Sequence, residues 1–177
     1  TKDYLNLAKI ESGELNPEFH IGVNFRELLE DSLSILETQI KGKKCKVECE
    51  FRGEDLSSDC DPDLIKIVLI NLIGNAVKYG NEGCRVKINA VGSEKEISVS
   101  VWNEGPGFSQ EDKSNLFRKF SRLKRPELMR QKGSGVGLYT VWQVISAHGG
   151  KVSADSELGK WAEFKFIIPR HQKSKKD

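Results

Sequence analysis

"DPDLIKIVLINLIGNAVKYG", residues 61–80, decides how the rest of the chain is read. Asp61 before Pro62 has the form of a helix start: a capping side chain, then a residue whose missing N–H costs nothing at the first helical position. Leu64, Ile65, Ile67, Val68, Leu69, Ile70, Leu72, Ile73, Ala76 and Val77 then cover the helix almost all round. A helix that is apolar on every side is buried. Asn71, Asn75 and Lys78 interrupt it at spacings of four and three, which puts all three on one face. A buried amide left unpaired costs about 1–3 kcal/mol. Either the amides bond neighbouring backbone or this face lines a polar cleft. An amide carbonyl can ligate Mg2+ beside phosphate oxygens, and a lysine one turn on can neutralise a phosphate.

Upstream of that helix, residues 1–11 carry apolar side chains at Tyr4, Leu5, Leu7, Ala8 and Ile10, as the end of an amphipathic helix would, and Ser12–Gly13 stops it. "ELNPEFHIGV" reads as an extended connector, since Pro17 turns Asn16 away from helix. Asn24 has the form of an N-cap, with Glu27 three residues on as in a capping box and Gly42 as a stop. "CKVECEFRG" alternates like a strand. Downstream, "CRVKINAVG" and "EISVSVWN" read as two strands. A charged stretch follows Gly107, around Phe117, Phe120 and Leu123. "VGLYTVWQVISAHGG" is a helix, and "KVSADSE" and "WAEFKFIIP" are closing strands. Helices that fall between groups of strands predict a two-layer α/β sandwich with one helical face.

The 177 residues suffice for one packed domain and a short appendage. A formal net charge of +2 gives no bulk attraction to nucleic acid or an anionic membrane. No apolar run approaches the roughly 20 residues of a membrane span. Cys45, Cys49, Cys60 and Cys84 form no Cys-x-x-Cys pair and no cluster with His20, His148 or His171. Cys45 and Cys49 fall on one face of a strand and read as packing residues. Free thiols fit a reducing cytoplasm.

Two glycine clusters remain. Gly105–Pro106–Gly107 ends a strand, just after Asn103 and Glu104. Gly133, Gly135 and Gly137 open directly into a helix, where glycines let backbone amides cradle an anion with help from the helix dipole. Alone, G-x-G-x-G is weak. No Gly-Lys-Ser/Thr follows it, and no βαβ unit with an acidic strand end surrounds it.

The order of these motifs is more specific than any one of them. "NLIGNAVKYG", "NEGPGF", "LFRKFSRL" and "GSGVGLYTVWQVISAHGGKV" resemble, in order and spacing, the N, G1, F and G2 boxes of the catalytic and ATP-binding domain of sensor histidine kinases. The resemblance covers residues 23–169. It implies a Bergerat-type ATP-binding fold, an α/β (α+β) two-layer sandwich whose mixed, mostly antiparallel sheet has helices on one face. "LNLAKIESGELNPEF" is similar to the end of that family's dimerisation helix and its linker. The implied organisation is a helix end over 1–13, a linker over 14–22, and the catalytic domain over 23–170. Its lid would span about 109–132, and 171–177 would be a basic tail.

The resemblance implies a function as well: transfer of the γ-phosphoryl group of ATP, with Mg2+, to a histidine on a dimerisation domain this chain lacks. A response regulator would be the onward partner. The resemblance implies a full protein that is a homodimer and can be membrane-anchored, and a fragment that is a cytoplasmic monomer. Asn75 would coordinate Mg2+. Asn71 would position the γ-phosphate, with Lys78 and Tyr79 near phosphates and nucleotide. Asn71 and Lys78 are therefore the candidate catalytic pair. Gly105 and Gly107 would let backbone approach adenine beside Phe108 and hinge the lid. Lys119 and Arg122 are candidate phosphate contacts, as are Arg118 and Lys124. Phe117 and Phe120 would anchor the lid. Gly133, Ser134, Gly135, Val136 and Gly137 would present the phosphate loop, with Leu138 packed behind it. His20 is no acceptor, and His148 at a helix end caps carbonyls.

Two departures stand out. Asn103 occupies a position where the family usually has Asp accepting from the adenine amino group. A neutral bond is roughly half as strong as a charge-assisted one, and an amide can rotate, so weaker base discrimination is expected. "KWAEF" replaces a Gly-Thr-containing strand entry, with Trp161 expected to cap the core or face a partner. The same fold serves topoisomerases, chaperones, mismatch-repair ATPases and anti-sigma kinases. The hydrolases among them bring an acid near the Mg2+ asparagine, and "NLIGNAVK" has none. "KIESG" speaks against an anti-sigma kinase. A non-catalytic nucleotide-sensing module is the alternative.

Overall fold

The computed structural model describes Ala8, Ser12, residues 15–119, Ser121 and residues 135–172. In chain order the elements are β1 (His20–Asn24), α1 (Phe25–Gly42), β2 (Lys46–Arg52), β3 (Ser57–Cys60), α2 (Pro62–Tyr79), β4 (Arg85–Gly92) and β5 (Glu96–Glu104). They continue with α3 (Gln110–Lys113), α4 (Gly137–Ala147), β6 (Lys151–Glu157) and β7 (Trp161–Pro169). Ala8 and Ser12 are both helical.

Five strands form one sheet in the order β2-β4-β5-β7-β6. β2 runs parallel to β4, and every other neighbouring pair is antiparallel. This is the mixed, mostly antiparallel sheet expected. Alternation along the strands explains the layering. Val86, Ile88 and Ala90 of β4, Ile97, Val99 and Val101 of β5, and Phe166 and Ile168 of β7 are buried and join one core with the helices.

α2 is the centre of that core. Leu64, Ile65, Val68, Leu69, Leu72, Ile73, Ala76 and Val77 are all buried. Asp61 caps it by accepting from the backbone N–H of Asp63 and of Leu64, both at 3.1 Å. Its other oxygen accepts from Glu18 N–H at 2.8 Å. α1 buries a narrower stripe of Phe25, Leu28, Leu29, Ser32 and Leu36. Its cap is Asn24, which accepts from Arg26 N–H at 2.9 Å.

The sequence pattern missed a second, two-stranded sheet. β1 falls inside the connector and pairs antiparallel with β3, a strand built from the unpromising "SSDC". Ser58 and Cys60 point inward there, and Ser58 Oγ donates to the Pro169 carbonyl at 2.9 Å. Short strands of small polar residues carry little hydrophobic alternation, so tertiary pairing decides them. Trp161 is half-buried at the start of β7, and its carbonyl accepts from Ser156 Oγ at 2.7 Å.

Candidate functional site

Three parts of the fold carry the candidate residues: the polar face of α2, the start of α4 and the turn leaving β5. Asn71 Nδ2 donates to the Ile67 carbonyl at 2.9 Å, one turn back. That bond leaves Oδ1 to face α4: a Cβ placed on Gly137 would sit 2.7 Å from it. The reading in which the asparagine bonds neighbouring backbone therefore holds for its amide nitrogen. Asn75 is half-buried one turn further along and has no hydrogen-bond partner among the described residues. Lys78 is half-buried, with its ammonium 5.0 Å from the centre of the Tyr79 ring.

α4 opposes that face with its positive end. Gly135 has φ 72, in the left-handed region, and delivers the chain into the helix at Gly137. The first amides of a helix have no partner within it. Among the described residues no side chain caps them and no acid stands in the first turn. Leu138 packs against both hydrophobic clusters. Uncapped amides beside the Asn71 oxygen suit an anion carrying a cation.

Asn103 ends the buried row Ile97, Val99, Val101 on β5 and is 4% exposed. Its Nδ2 donates to the Glu104 carbonyl at 3.1 Å. This bond opposes the free rotation on which weak base discrimination would rest, and it leaves the side-chain carbonyl as the acceptor. Glu104 has a structural partner: it accepts from Arg85 Nε and from Arg85 N–H, each at 2.9 Å. These bonds hold its carboxyl below the usual carboxylate range.

The turn glycines are explained by the protein's own backbone. A Cβ on Gly105 would lie 3.0 Å from the Tyr79 carbonyl. Gly107, at φ 59, abuts the β6–β7 hairpin, where a Cβ would lie 2.7 Å from the Trp161 carbonyl and 2.8 Å from that of Glu157. Phe108 is buried with Leu116, Ala154 and Ala162. Its ring lies 5.8 Å from that of Phe164, and Phe117 meets Phe164 edge-on at 6.2 Å. Phe117 thus anchors the start of the segment after β5, behind α3. α3 is capped by Ser109, which accepts from Asp112 N–H at 3.2 Å. Lys119 and Arg118 are exposed. Phe120, Arg122, Lys124, Gly133 and Ser134 lie outside the described residues.

His148 is a feature whose second role the sequence did not show. It is fully buried at the end of α4. Nδ1 is 2.7 Å from the Val144 carbonyl, the capping role expected, and Nε2 accepts from Asp61 N–H at 3.0 Å. One ring thereby ties the end of α4 to the start of α2.

A sheet of this topology backing an open helix N-terminus and an asparagine-lined helix defines the architecture of an ATP-binding catalytic domain. The chain belongs to the histidine kinase-, DNA gyrase B-, and HSP90-like ATPase family, which it matches over residues 60–172. It is 34% identical over 167 residues to the sensor histidine kinase GacS of Pseudomonas protegens, covering 92% of this chain and 18% of that one. Over 179 residues it is 31% identical to the sensor histidine kinase WalK of Bacillus subtilis, covering 99% of this chain and 29% of that one. Over 139 residues it is 31% identical to the adaptive-response sensory kinase SasA of a Synechococcus strain, covering 78% and 36%. The chain thus spans well under half the length of these relatives. Among solved structures it resembles the nucleotide-free catalytic domain of the histidine kinase ThkA, with a TM-score of 0.75 and 31% identity over 88% of this chain and 99% of that one. ThkA has also been solved in complex with the response regulator TrrA; that structure matches with a TM-score of 0.74 at 28% identity over 96% of this chain and 47% of that one. Among the described residues no helix is long and apolar enough to cross a membrane.

Proposed function

We propose that this chain is the catalytic unit of a two-component sensor histidine kinase, binding Mg-ATP and passing its γ-phosphoryl group to a histidine on a separate dimerisation domain. The observation that carries the reading is the glycine-led start of α4, with no acid in its first turn, set against the Asn71 side-chain oxygen. Phosphoryl transfer asks little covalent chemistry of a protein; positioning and charge neutralisation dominate. The α4 amides, with Gly135 and Val136 leading into them, hold phosphate oxygens. Lys78 neutralises charge, and Asn71 orients the terminal phosphate. Asn103 and Tyr79 bound the base end, beside Gly105 and Phe108. Lys119 stands on the segment after β5, and Arg122 is a candidate phosphate contact by its place in the sequence.

Mg2+ fits these residues. Asn75 offers a hard amide oxygen with no partner among the described residues. Those residues hold no group of three or more His, Cys, Asp or Glu placed for a metal. That suits a cation held by one or two protein oxygens and substrate phosphates, where it would screen the phosphate charge. A response regulator is the proposed onward partner and a homodimer the proposed full-length state.

Calorimetric titration of ATP with and without Mg2+, on wild type and Asn75→Ala, tests the site. The wild type should lose at least tenfold in affinity without Mg2+, and the variant should lose most of that dependence. Binding indifferent to both changes would overturn the assignment. Mixing with a cognate dimerisation domain and labelled ATP tests the activity: acid-labile phosphate on its histidine supports the kinase. Bound ATP without transfer supports a nucleotide-sensing module, the reading that an amide at Asn103 favours.

A further inference from the structure

Cys45 and Cys84 are thirty-nine residues apart in sequence and face each other with Sγ atoms 3.0 Å apart. Both thiols are free. They stand on the two turns that feed the parallel pair β2 and β4, one residue before the registered partners Lys46 and Arg85. Neighbouring strands lie about 4.8 Å apart, within the roughly 4.4–6.8 Å between Cα atoms that a disulfide spans.

The backbone holds the two turns together on both sides of the pair. Lys46 N–H donates to the Cys84 carbonyl at 2.9 Å, and Gly83 N–H donates to the Lys43 carbonyl, also at 2.9 Å. Closing an S–S bond of about 2.0 Å therefore asks for a small side-chain approach and no refolding. We propose that Cys45 and Cys84 are a dithiol modification site that closes to an intramolecular disulfide under peroxide and reopens under a dithiol reductant.

The two thiols differ in access, and this sets the order of events. Cys45 is half-buried and Cys84 is 2% exposed. The Cys45 thiolate attacks one peroxide oxygen, the O–O bond breaks, and hydroxide leaves as water, giving Cys45 sulfenic acid. The Cys84 sulfur then attacks the Cys45 sulfur. The S–S bond forms, the S–O bond breaks, and the departing hydroxide takes the Cys84 proton as a second water. The two thiols together lose two electrons and the peroxide gains them. Burial raises the Cys84 thiol pKa and works against its ionisation, while the charge of Lys43 acts in the opposite sense. Transfer of the Cys84 proton to the leaving hydroxide fits that balance.

The location gives the bond mechanical reach. The Cys84 sulfur lies against Gly80, the residue that ends α2 directly after Tyr79. Lys43, two residues before Cys45, donates from its ammonium to the Lys78 carbonyl at 3.1 Å. A disulfide here staples the turn entering β2 to the turn leaving α2.

The other cysteines are internal controls. Cys60 is fully buried, which pushes its thiol up to about 12. Cys49 is exposed and has no described thiol beside it. The test is exposure of the whole chain to hydrogen peroxide, quenching with iodoacetamide, and peptide mass mapping without reductant. The expected result is a Cys45–Cys84 cross-linked peptide, lighter by two hydrogens than the paired thiols, in monomeric chain and lost on adding dithiothreitol. Cys49→Ser should retain the cross-link and Cys45→Ser should abolish it. Recovery of Cys45 and Cys84 as separately alkylated thiols or as separate sulfinic acids would overturn the proposal. So would a cross-link from Cys45 to a second copy of the chain.

Discussion

Gly107 and Gly159 stand at facing turns of the site and separate two reasons for a glycine. Both have positive φ, 59 and 79. Space around a Gly159 Cβ is open, whereas a Gly107 Cβ would strike the backbone carbonyls of Glu157 and Trp161. Gly159→Ala should cost about 1 kcal/mol from the left-handed backbone alone. Gly107→Ala should cost about 1–3 kcal/mol more, because the groups it overlaps are backbone and cannot swing aside. Urea denaturation reads both, and equal losses would show that the β6–β7 hairpin yields. At Asn103 the bond to the Glu104 carbonyl biases the amide by about 1 kcal/mol toward presenting its carbonyl. ATP, with an amino donor on the base, should therefore bind roughly 5–10-fold more tightly than ITP, which carries an acceptor there. Asn103→Ala should bring the ratio towards one in calorimetry, and equal wild-type affinities would sink the assignment.

At the scale of elements, α2 and α4 are joined at two places by different chemistry. At the start of α4, Gly137 lets it approach Asn71 closely. At the far end, His148 bridges Val144 and the capping residue Asp61, with the Phe19 ring edge-on at 5.2 Å. Burial first, countered by the Val144 carbonyl and the Asp61 charge, holds the His148 pKa below its ordinary value. The fold thus keeps the neutral ring, and below about pH 6.5 the unfolded chain binds the proton more readily. Its contribution is fully present above that pH and is lost as pH falls through the lower folded value. Thermal unfolding from pH 8 to pH 5 should show the wild type losing more stability than His148→Gln. Identical slopes would mean that the ring titrates freely in the fold.

The three long helices α1, α2 and α4 and the five main strands were legible from their apolar patterning, whereas the short charged α3 was not. The candidate residues Asn71, Asn75 and Lys78 were legible because they break an otherwise apolar helix. β1 and β3 were not, because Ser57–Cys60 has no hydrophobic alternation and His20–Asn24 is almost wholly exposed. The Cys45–Cys84 contact was hidden by sequence distance. Residue spacing pointed instead to Cys45 and Cys49, but Cys45 stands just before β2 and Cys49 is exposed.

At the scale of the whole molecule, Arg170 closes the chain. It follows β7 and is 9% exposed. Its guanidinium donates to the Ser93 carbonyl at 2.8 Å, to the Asp55 carboxylate at 2.8 Å, and to the Asp55 and Ser57 carbonyls, both at 2.9 Å. Its backbone N–H donates to the Lys95 carbonyl at 2.8 Å, and its carbonyl accepts from Asp59 N–H at 2.8 Å. One residue therefore ties the β4–β5 hairpin to the approach to β3, and with it the small sheet to the large one. Nothing in its sequence neighbourhood signals this, since all these partners lie far away along the chain. A lysine has the charge but lacks the planar fork that reaches several carbonyls at once. Arg170→Lys should leave part-buried acceptors unpaired and cost about 1–3 kcal/mol. The same exchange at Arg85, whose pair with Glu104 is half exposed, should cost under about 1 kcal/mol. Chemical denaturation of the two variants side by side separates the cases. If Arg170→Lys proved as mild as Arg85→Lys, the carbonyls of Ser93, Asp55 and Ser57 would have found water, and the two sheets would be held together by the core and the remaining bonds, such as Ser58 to the Pro169 carbonyl.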